Sequence, residues 1–402
     1  MQHRKLSLAV RLLAPLAFVS LSAGAIAEQF TLEEIIVTAQ KRAQSIQEVP
    51  LSITAFSGDF LKESGVQTIE DVSRMAPNFT ISTSSQPTNS RISIRGIGAS
   101  GNSAIESSVG VFVDGVYYPR PGSVLGKMLD VSSFEVLRGP QGTLFGRNTV
   151  AGALNITTNN PTQETEGMVE VGLGDYGAVE TGGMFNGALS DSVTARVAFK
   201  YADRDGYGYN TYDGQEVGER DDLVTRAKVL FDFSEQLSLL VTADYSEINS
   251  GGNTIEVLNS TSTPAFEGRT AAFYGASPVT ADSYDGTIHQ THNVEFKDEQ
   301  MGLSFDFNYE FGNGLALRSI TAVREWEANS ADDDVGVTAD LIPATANYTT
   351  DTLSQEFQLI SPGGETVDWL AGLFFFAGEF QFLVLRVRSV RPNFAGANRI
   401  QD

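Results

Sequence analysis

Residues able to do chemistry are few in this chain. His289 and His292 sit three apart in a polar stretch that also holds Asp285. Such donors suit zinc when a rigid element presents them, whereas on a loop the same pair is usually a solvated one. Gly172-Leu173-Gly174-Asp175-Tyr176-Gly177 has the form of a dinucleotide loop, but that motif works only between a strand and a helix, and no helical pattern succeeds it. There is no Gly-x-Ser-x-Gly elbow, and three histidines are too few for a persuasive nucleophile triad. A nucleotide-cradling Gly-x-x-x-x-Gly-Lys-[Ser/Thr] loop is absent as well. Enzyme chemistry is therefore the least supported reading. Two arginines stand out instead, because Arg95 and Arg138 each end a strand-like run and precede a glycine, Gly96 and Gly139. Glycine lets backbone approach another surface closely, so each guanidinium is either a contact group or a solvated turn residue. The stretch Glu33 to Gln40 is a contact candidate of another kind. Its core of Ile35, Ile36, Val37 and Thr38 is β-branched throughout and prefers to be extended. Near a free N-terminus such a segment is either the first strand of the adjoining domain or a strand that adds to a partner's sheet edge.

The elements that must position these groups begin after a leader. His3, Arg4 and Lys5 form a positive end, Leu6 to Leu21 is largely apolar, and Ala25-Ile26-Ala27 is a small-x-small cleavage site. Arg11 and Pro15 interrupt the apolar run, which reads poorly as a membrane helix. Cleavage starts the mature chain at Glu28. No later stretch approaches about 18 uninterrupted apolar residues, so membrane residence must be by strands or at a surface. The chain carries 27 Lys and Arg against 50 Asp and Glu, a net charge of −23 that becomes more negative when Arg4, Lys5 and Arg11 leave with the leader. That balance excludes nucleic acid, whose phosphates demand a basic surface. With no cysteine, an exported chain has no disulfide framework and relies on burial and hydrogen bonds.

From 45 to 161 the sequence is mixed. Ser57-Gly58-Asp59 and Thr68 open two short helical patterns, followed by strand-like runs at Ile92 to Arg95, Val109 to Val113, Phe134 to Arg138 and Ala153 to Thr157. This predicts a small α+β domain with its own core. Beyond Thr165 the period becomes two: Leu303, Phe305, Phe307, Tyr309 and Phe311 alternate with Ser304, Asp306, Asn308 and Glu310. Short turns at Ser190-Asp191, Ser234 to Gln236, Gly312 to Gly314 and Pro362 to Gly364 alternate with long polar stretches, roughly Asp203 to Asp221, Glu247 to Lys297 and Asn329 to Thr350. That parity predicts an outer-membrane barrel with short periplasmic turns and long external loops, since a soluble sandwich has no reason to keep it.

Four segments then carry a family resemblance, in order: Glu34 to Ala39, Ile94-Arg95-Gly96-Ile97-Gly98, Val111 to Val116, and the long run from Phe134 to Thr158. Together they resemble the TonB-dependent outer-membrane transporters of the siderophore-receptor type. The resemblance implies an α+β plug domain followed by an antiparallel transmembrane β-barrel of about 22 strands. The expected division is 1–27 signal peptide, 28–44 TonB box and linker, 45–161 plug, and 165–402 the N-terminal part of the barrel. Glu34, Ile35, Ile36, Val37, Thr38 and Ala39 would pair with TonB, which draws on the inner-membrane energy-transducing complex. Arg95, Gly96, Arg138 and Gly139 would make plug–barrel contacts with inward carboxylates such as Asp306 and Glu310, arginine being suited to bidentate contacts. Ligand contacts are expected at the plug apex near Gln86, Asn89, Ser100 and Asn102. The ligand implied is a ferric siderophore, with cobalamin, carbohydrate or aromatic compounds as alternatives; iron would come as cargo, with no cofactor and no metal site. A monomer in the outer membrane of a Gram-negative bacterium, touching lipid and lipopolysaccharide, is expected.

Two features depart from that pattern. About nine strands are countable by residue 376, and after Gln381 come Arg386, Arg388, Arg391 and Arg399 where a terminal aromatic strand would stand. Unpaired edges in lipid leave backbone groups unsatisfied, so a truncated form with missing C-terminal strands is expected. Two other classes stay open: a signalling receptor, which would need a domain before the box where only Glu28 to Leu32 lies, and a soluble β-rich binding protein.

Overall fold

The computed structural model describes residues 36–38, 41–42, 44–83, 90–98, 105–124, 126–251, 285–288, 293–333, 343–362 and 367–386. The leader, Glu34, Ile35, Ala39, the apex candidates Gln86, Asn89, Ser100 and Asn102, and the histidines His289 and His292 lie outside the described residues.

Short runs bounded by turn residues build the first layer. They are β1 (Ile36–Val37), β2 (Gln44–Ser45), β3 (Ser52–Ser57), α1 (Gly58–Glu63), α2 (Ile69–Met75), β4 (Phe79–Ser82), β5 (Arg91–Ile94), β6 (Ile97–Gly98), β7 (Val109–Val113), β8 (Val116–Tyr118), β9 (Val131–Arg138), α3 (Gly142–Phe145) and β10 (Gly152–Thr158). Ser57 caps α1, and at α2 the Thr68 hydroxyl accepts from the Asp71 N–H while the Asp71 carboxylate accepts from the Thr68 N–H. That reciprocal cap satisfies two otherwise orphaned donors. The main sheet runs β3-β9-β10-β7-β8, and β10 lies parallel to β7 and antiparallel to β9. Period-two alternation splits its side chains between two cores. Phe134, Val136, Leu154 and Ile156 pack with Leu61, Ile69 and Val72 of the helices, whereas Leu137 and Ala153 face Val37, Phe112 and Phe145 on the other side. Each fully buried large side chain contributes about 1.5–3 kcal/mol.

Long alternating runs build the second layer: β11 (Glu166–Leu173), β12 (Val179–Ser190), β13 (Val193–Arg204), β14 (Gly208–Asn210), β15 (Gln215–Val217), β16 (Arg220–Ser234), β17 (Leu237–Ser250), β18 (Thr287–Ile288), β19 (Glu295–Glu310), β20 (Ala316–Asp333), β21 (Pro343–Ile360) and β22 (Leu370–Arg386). Nine of them form one sheet in the order β11-β12-β13-β16-β17-β19-β20-β21-β22, while β15-β14-β18 make a small sheet at the long-loop end. Every neighbouring pair of the large sheet is antiparallel. On β19 the outward residues Met301, Leu303 and Phe305 are 38–46% exposed, whereas the inward Phe296, Asp298 and Gln300 are at most 5% exposed. Outward apolar side chains on strands of this length suit the hydrocarbon of an outer membrane. The inward face packs on the α+β layer, where Val116 meets Ile320 and Ala322, and Leu129 meets Ala198 and Val224.

Candidate functional site

Ile36, Val37 and Thr38 fold back on the α+β layer, the plug, which packs on the nine-stranded sheet, the wall. Ile36 pairs with Ser45 and Val37 with Gln44, and the return is closed by a 2.8 Å bond from the Lys41 N–H to the Thr38 carbonyl, with Lys41 at φ 57°. Val37 is fully buried among Phe112, Leu137 and Phe145. Among the described residues this hairpin has only two strands, so β1 carries no second neighbour. What holds it is one polar cluster on an apolar sheet face. The Thr38 N–H donates to Glu135 Oε1 at 2.7 Å and its hydroxyl to the same oxygen at 3.2 Å. Asn155 Nδ2 donates to Thr38 Oγ1 at 2.9 Å and to Glu135 Oε2 at 3.2 Å. Glu135 is fully buried, and burial pushes its carboxyl above the ordinary glutamate value, against the pull of the Thr38 and Asn155 donors.

The next residues are fastened to the wall instead. Lys41 pairs with Glu356 on β21, and its ammonium stands 5.6 Å from the centre of the Phe145 ring. Burial pushes the Lys41 amine down, with Glu356 opposing. Arg42 donates to Ser361 Oγ at 2.9 Å and to the Trp369 carbonyl at 2.7 Å, both in the connection after β21. The chain is thus tied to the plug at Thr38 and to the wall three residues later.

Along the rest of the plug–wall seam, charges interlock in both senses. Lys62 reaches Glu170 at 2.7 Å, and Lys127 pairs with Glu180. In the other sense, Asp130 takes two bonds from Arg196 at 2.6 and 2.7 Å, and Asp114 lies 3.1 Å from Lys228. Arg324 is held bidentate by Asp244 at 2.9 and 2.8 Å and stacks 4.1 Å from the Tyr118 ring of the plug. Arg95 and Arg138, read from the sequence as partners of barrel carboxylates, make no ion pair among the described residues. Arg138 donates to Ser52 and Thr54, and Arg95 to Ser52 at 3.4 Å. Both stand at the end of the plug where Ser52 of β3 pairs with Arg138 of β9, so hydroxyls are the nearest acceptors; burial and the neighbouring Arg95 charge push the Arg138 guanidinium down. Asp306 is occupied by a wall residue, Arg318, at 2.6 Å. Glu135, Asn155, Asp114, Asp130, Arg196 and Lys228 were not singled out by motif. The available signal was a carboxylate within the apolar run Phe134 to Leu137 and bases on the wet face of β13 and β16.

Residues 45–153 match the TonB-dependent Receptor Plug Domain family. The pesticin receptor of Yersinia pestis is 31% identical over 186 residues, 45% of this chain and 27% of that protein. The ferripyoverdine receptor of Pseudomonas aeruginosa is 26% identical over 224 residues, 54% of this chain and 26% of the receptor. A vitamin B12 transporter of Vibrio vulnificus is 24% identical over 323 residues, 76% of this chain and 51% of the transporter. Among solved structures, the ferric yersiniabactin uptake receptor of Yersinia pestis superposes with a TM-score of 0.71 at 18% identity, over 84% of this chain and 50% of that one. The match therefore spans about a quarter to a half of these relatives.

Proposed function

We propose that this chain, a siderophore-receptor-like TonB-dependent receptor of the outer membrane, serves the energised uptake of a ferric siderophore, with the Glu34 to Ala39 segment as its contact for TonB. The observation that carries the reading is the double fastening of its described part and the residues after it, at Thr38 by Glu135 and Asn155 to the plug and through Lys41 and Arg42 to the wall. A partner that captures the strand as an added sheet edge would pull first on the plug sheet's centre, at Glu135 and Asn155. Energy would enter by contact, with the chain as a monomer, its outward face in lipid and its long loops beside lipopolysaccharide. The relatives named for pesticin and ferripyoverdine are receptors, and the second, by its name, favours an iron-bearing cargo.

Cobalamin is the second reading, favoured by the vitamin B12 transporter, whose alignment covers 76% of this chain. Radio-iron siderophore and labelled cyanocobalamin, offered to receptor-deficient cells with and without TonB, separate the two. Accumulation of ferric siderophore only when TonB is present is expected. Cobalamin accumulation would favour the second reading, and accumulation of either ligand regardless of TonB would overturn the energised one.

A further inference from the structure

Strands β13 and β16 place Arg196 directly opposite Lys228, and Ala198 opposite Arg226, on the inward face of the wall. Lys200, two positions beyond Ala198, extends the row. Like charges facing each other across a ladder destabilise a sheet, the more so when buried, and here Arg196 is 8% and Lys228 2% exposed. The acceptors that make the arrangement tolerable come almost entirely from outside the wall. Asp130 takes the bidentate contact from Arg196, and Asp114 takes the lysine. The Thr158 carbonyl at 3.2 Å and Asn160 Oδ1 at 3.1 Å complete the lysine's shell, and the Leu129 carbonyl accepts from Arg226 at 2.8 Å. Of the wall's own carboxylates, Glu166 stands 3.7 Å from Arg196, Glu170, Glu180 and Asp222 lie about Lys200 at the end of the row, and Asp244, opposite Arg226, is engaged by Arg324.

We propose that this cationic patch is a transit site for an anionic ligand, and that Asp114 and Asp130 occupy it as internal stand-ins until the plug moves. The proposal rests on the uptake reading and gives the cargo's chemistry: a small complex bearing at least two carboxylates, able to replace the fork contact on Arg196 and the point contact on Lys228 together. A strongly acidic chain repels such a cargo elsewhere, so a local cluster of bases is the feature that would carry it along the seam.

The test uses the purified full chain in detergent with citrate as probe, read by the thermal midpoint against sodium chloride of equal ionic strength. Wild type should respond little, its stand-ins being in place. In the Asp114→Asn/Asp130→Asn double variant, or in Asp130→Asn alone should the double variant not fold, citrate should give a saturable rise of about 2–4 °C. Adding Arg196→Gln and Lys228→Gln should abolish that rise, whereas Arg196→Lys with Lys228→Arg should keep it. No citrate response in the aspartate variants, an equal response after both bases are neutralised, or a wild-type response as large as theirs would overturn the proposal. Citrate binding is independent of uptake: loss of TonB-dependent uptake with the citrate response intact would remove the uptake reading and leave the site standing.

Discussion

Replacing Glu135 by leucine removes the single acceptor that Thr38 and Asn155 share while keeping an apolar side chain of similar reach in the sheet. In the docked state the Thr38 N–H and an Asn155 Nδ2–H then have no carboxylate to meet; an unsatisfied buried donor costs about 1–3 kcal/mol. Undocking relieves both, so the equilibrium should shift toward the free strand by about 2 kcal/mol, roughly 30-fold. Burial of Val37 is unaffected, so the strand still spends most of its time on the plug. The chain has no cysteine, which makes Val37→Cys a clean reporter: fully buried when docked, the thiol reacts only when the strand leaves. The labelling rate of Val37→Cys should rise about 30-fold when Glu135→Leu is added, with Thr38→Val giving a smaller rise in the same direction. A change below about threefold in both variants would mean that the polar cluster does not hold the strand.

The same reporter has a pH dependence of defined sign. Glu135 is raised in the docked state, so docking is strongest below the ordinary glutamate value of about 4.3 and weakens as pH rises through the raised one. Labelling, normalised to an exposed cysteine, should therefore increase over that window, and Glu135→Gln should flatten it. Lys41→Met should lower the thermal midpoint more than the Lys41→Met/Glu356→Met pair, because a lone, largely buried carboxylate is worse than two packed thioethers; an additive loss would contradict the pairing. Gly152→Ala should cost about 3 kcal/mol or more in a denaturant melt, since φ is 155° there and a Cβ would run into the Leu137 carbonyl and Ile94. On the outward face of β22, Leu373→Arg should cost about 2–4 kcal/mol of insertion near the bilayer midplane and so lower the membrane-inserted fraction, whereas Thr242→Arg on the inward side should not act through lipid.

How far the sequence foretold the molecule depends on the range of each interaction. The alternation from Leu303 to Phe311 is written in adjacent residues, and the inward face derives from it, while the turn parity is read from the lengths of the connections. The inward face of β13 was legible in the same way, with Arg196 and Lys200 on its wet side. Which plug oxygen meets which wall base was not, because Asp130 and Arg196 are 66 residues apart, and periodicity fixes a side chain's face but not its opposite number. Thr38 and Glu135, 97 residues apart, met only because β9 is an interior strand of its sheet with Glu135 on the face that receives the hairpin. Arg95 and Arg138 show the same limit from the other side. An added Cβ would meet no atom at Gly96 and only Arg95, at 3.8 Å, at Gly139, so these glycines answer to their positive φ of 76° and 99° and not to a close approach, and the arginines before them meet plug hydroxyls.

The most direct test of the central claim is the affinity of the purified chain for the periplasmic domain of TonB, measured for wild type, Glu135→Leu and Val37→Pro. A captured strand must first leave the plug, so apparent affinity scales with the undocked fraction and Glu135→Leu should bind about 30-fold more tightly than wild type. Val37→Pro removes an N–H from the strand and should abolish binding. Equal affinity of all three would show that TonB does not bind through this strand, and the reading of an energised receptor would lose its contact point.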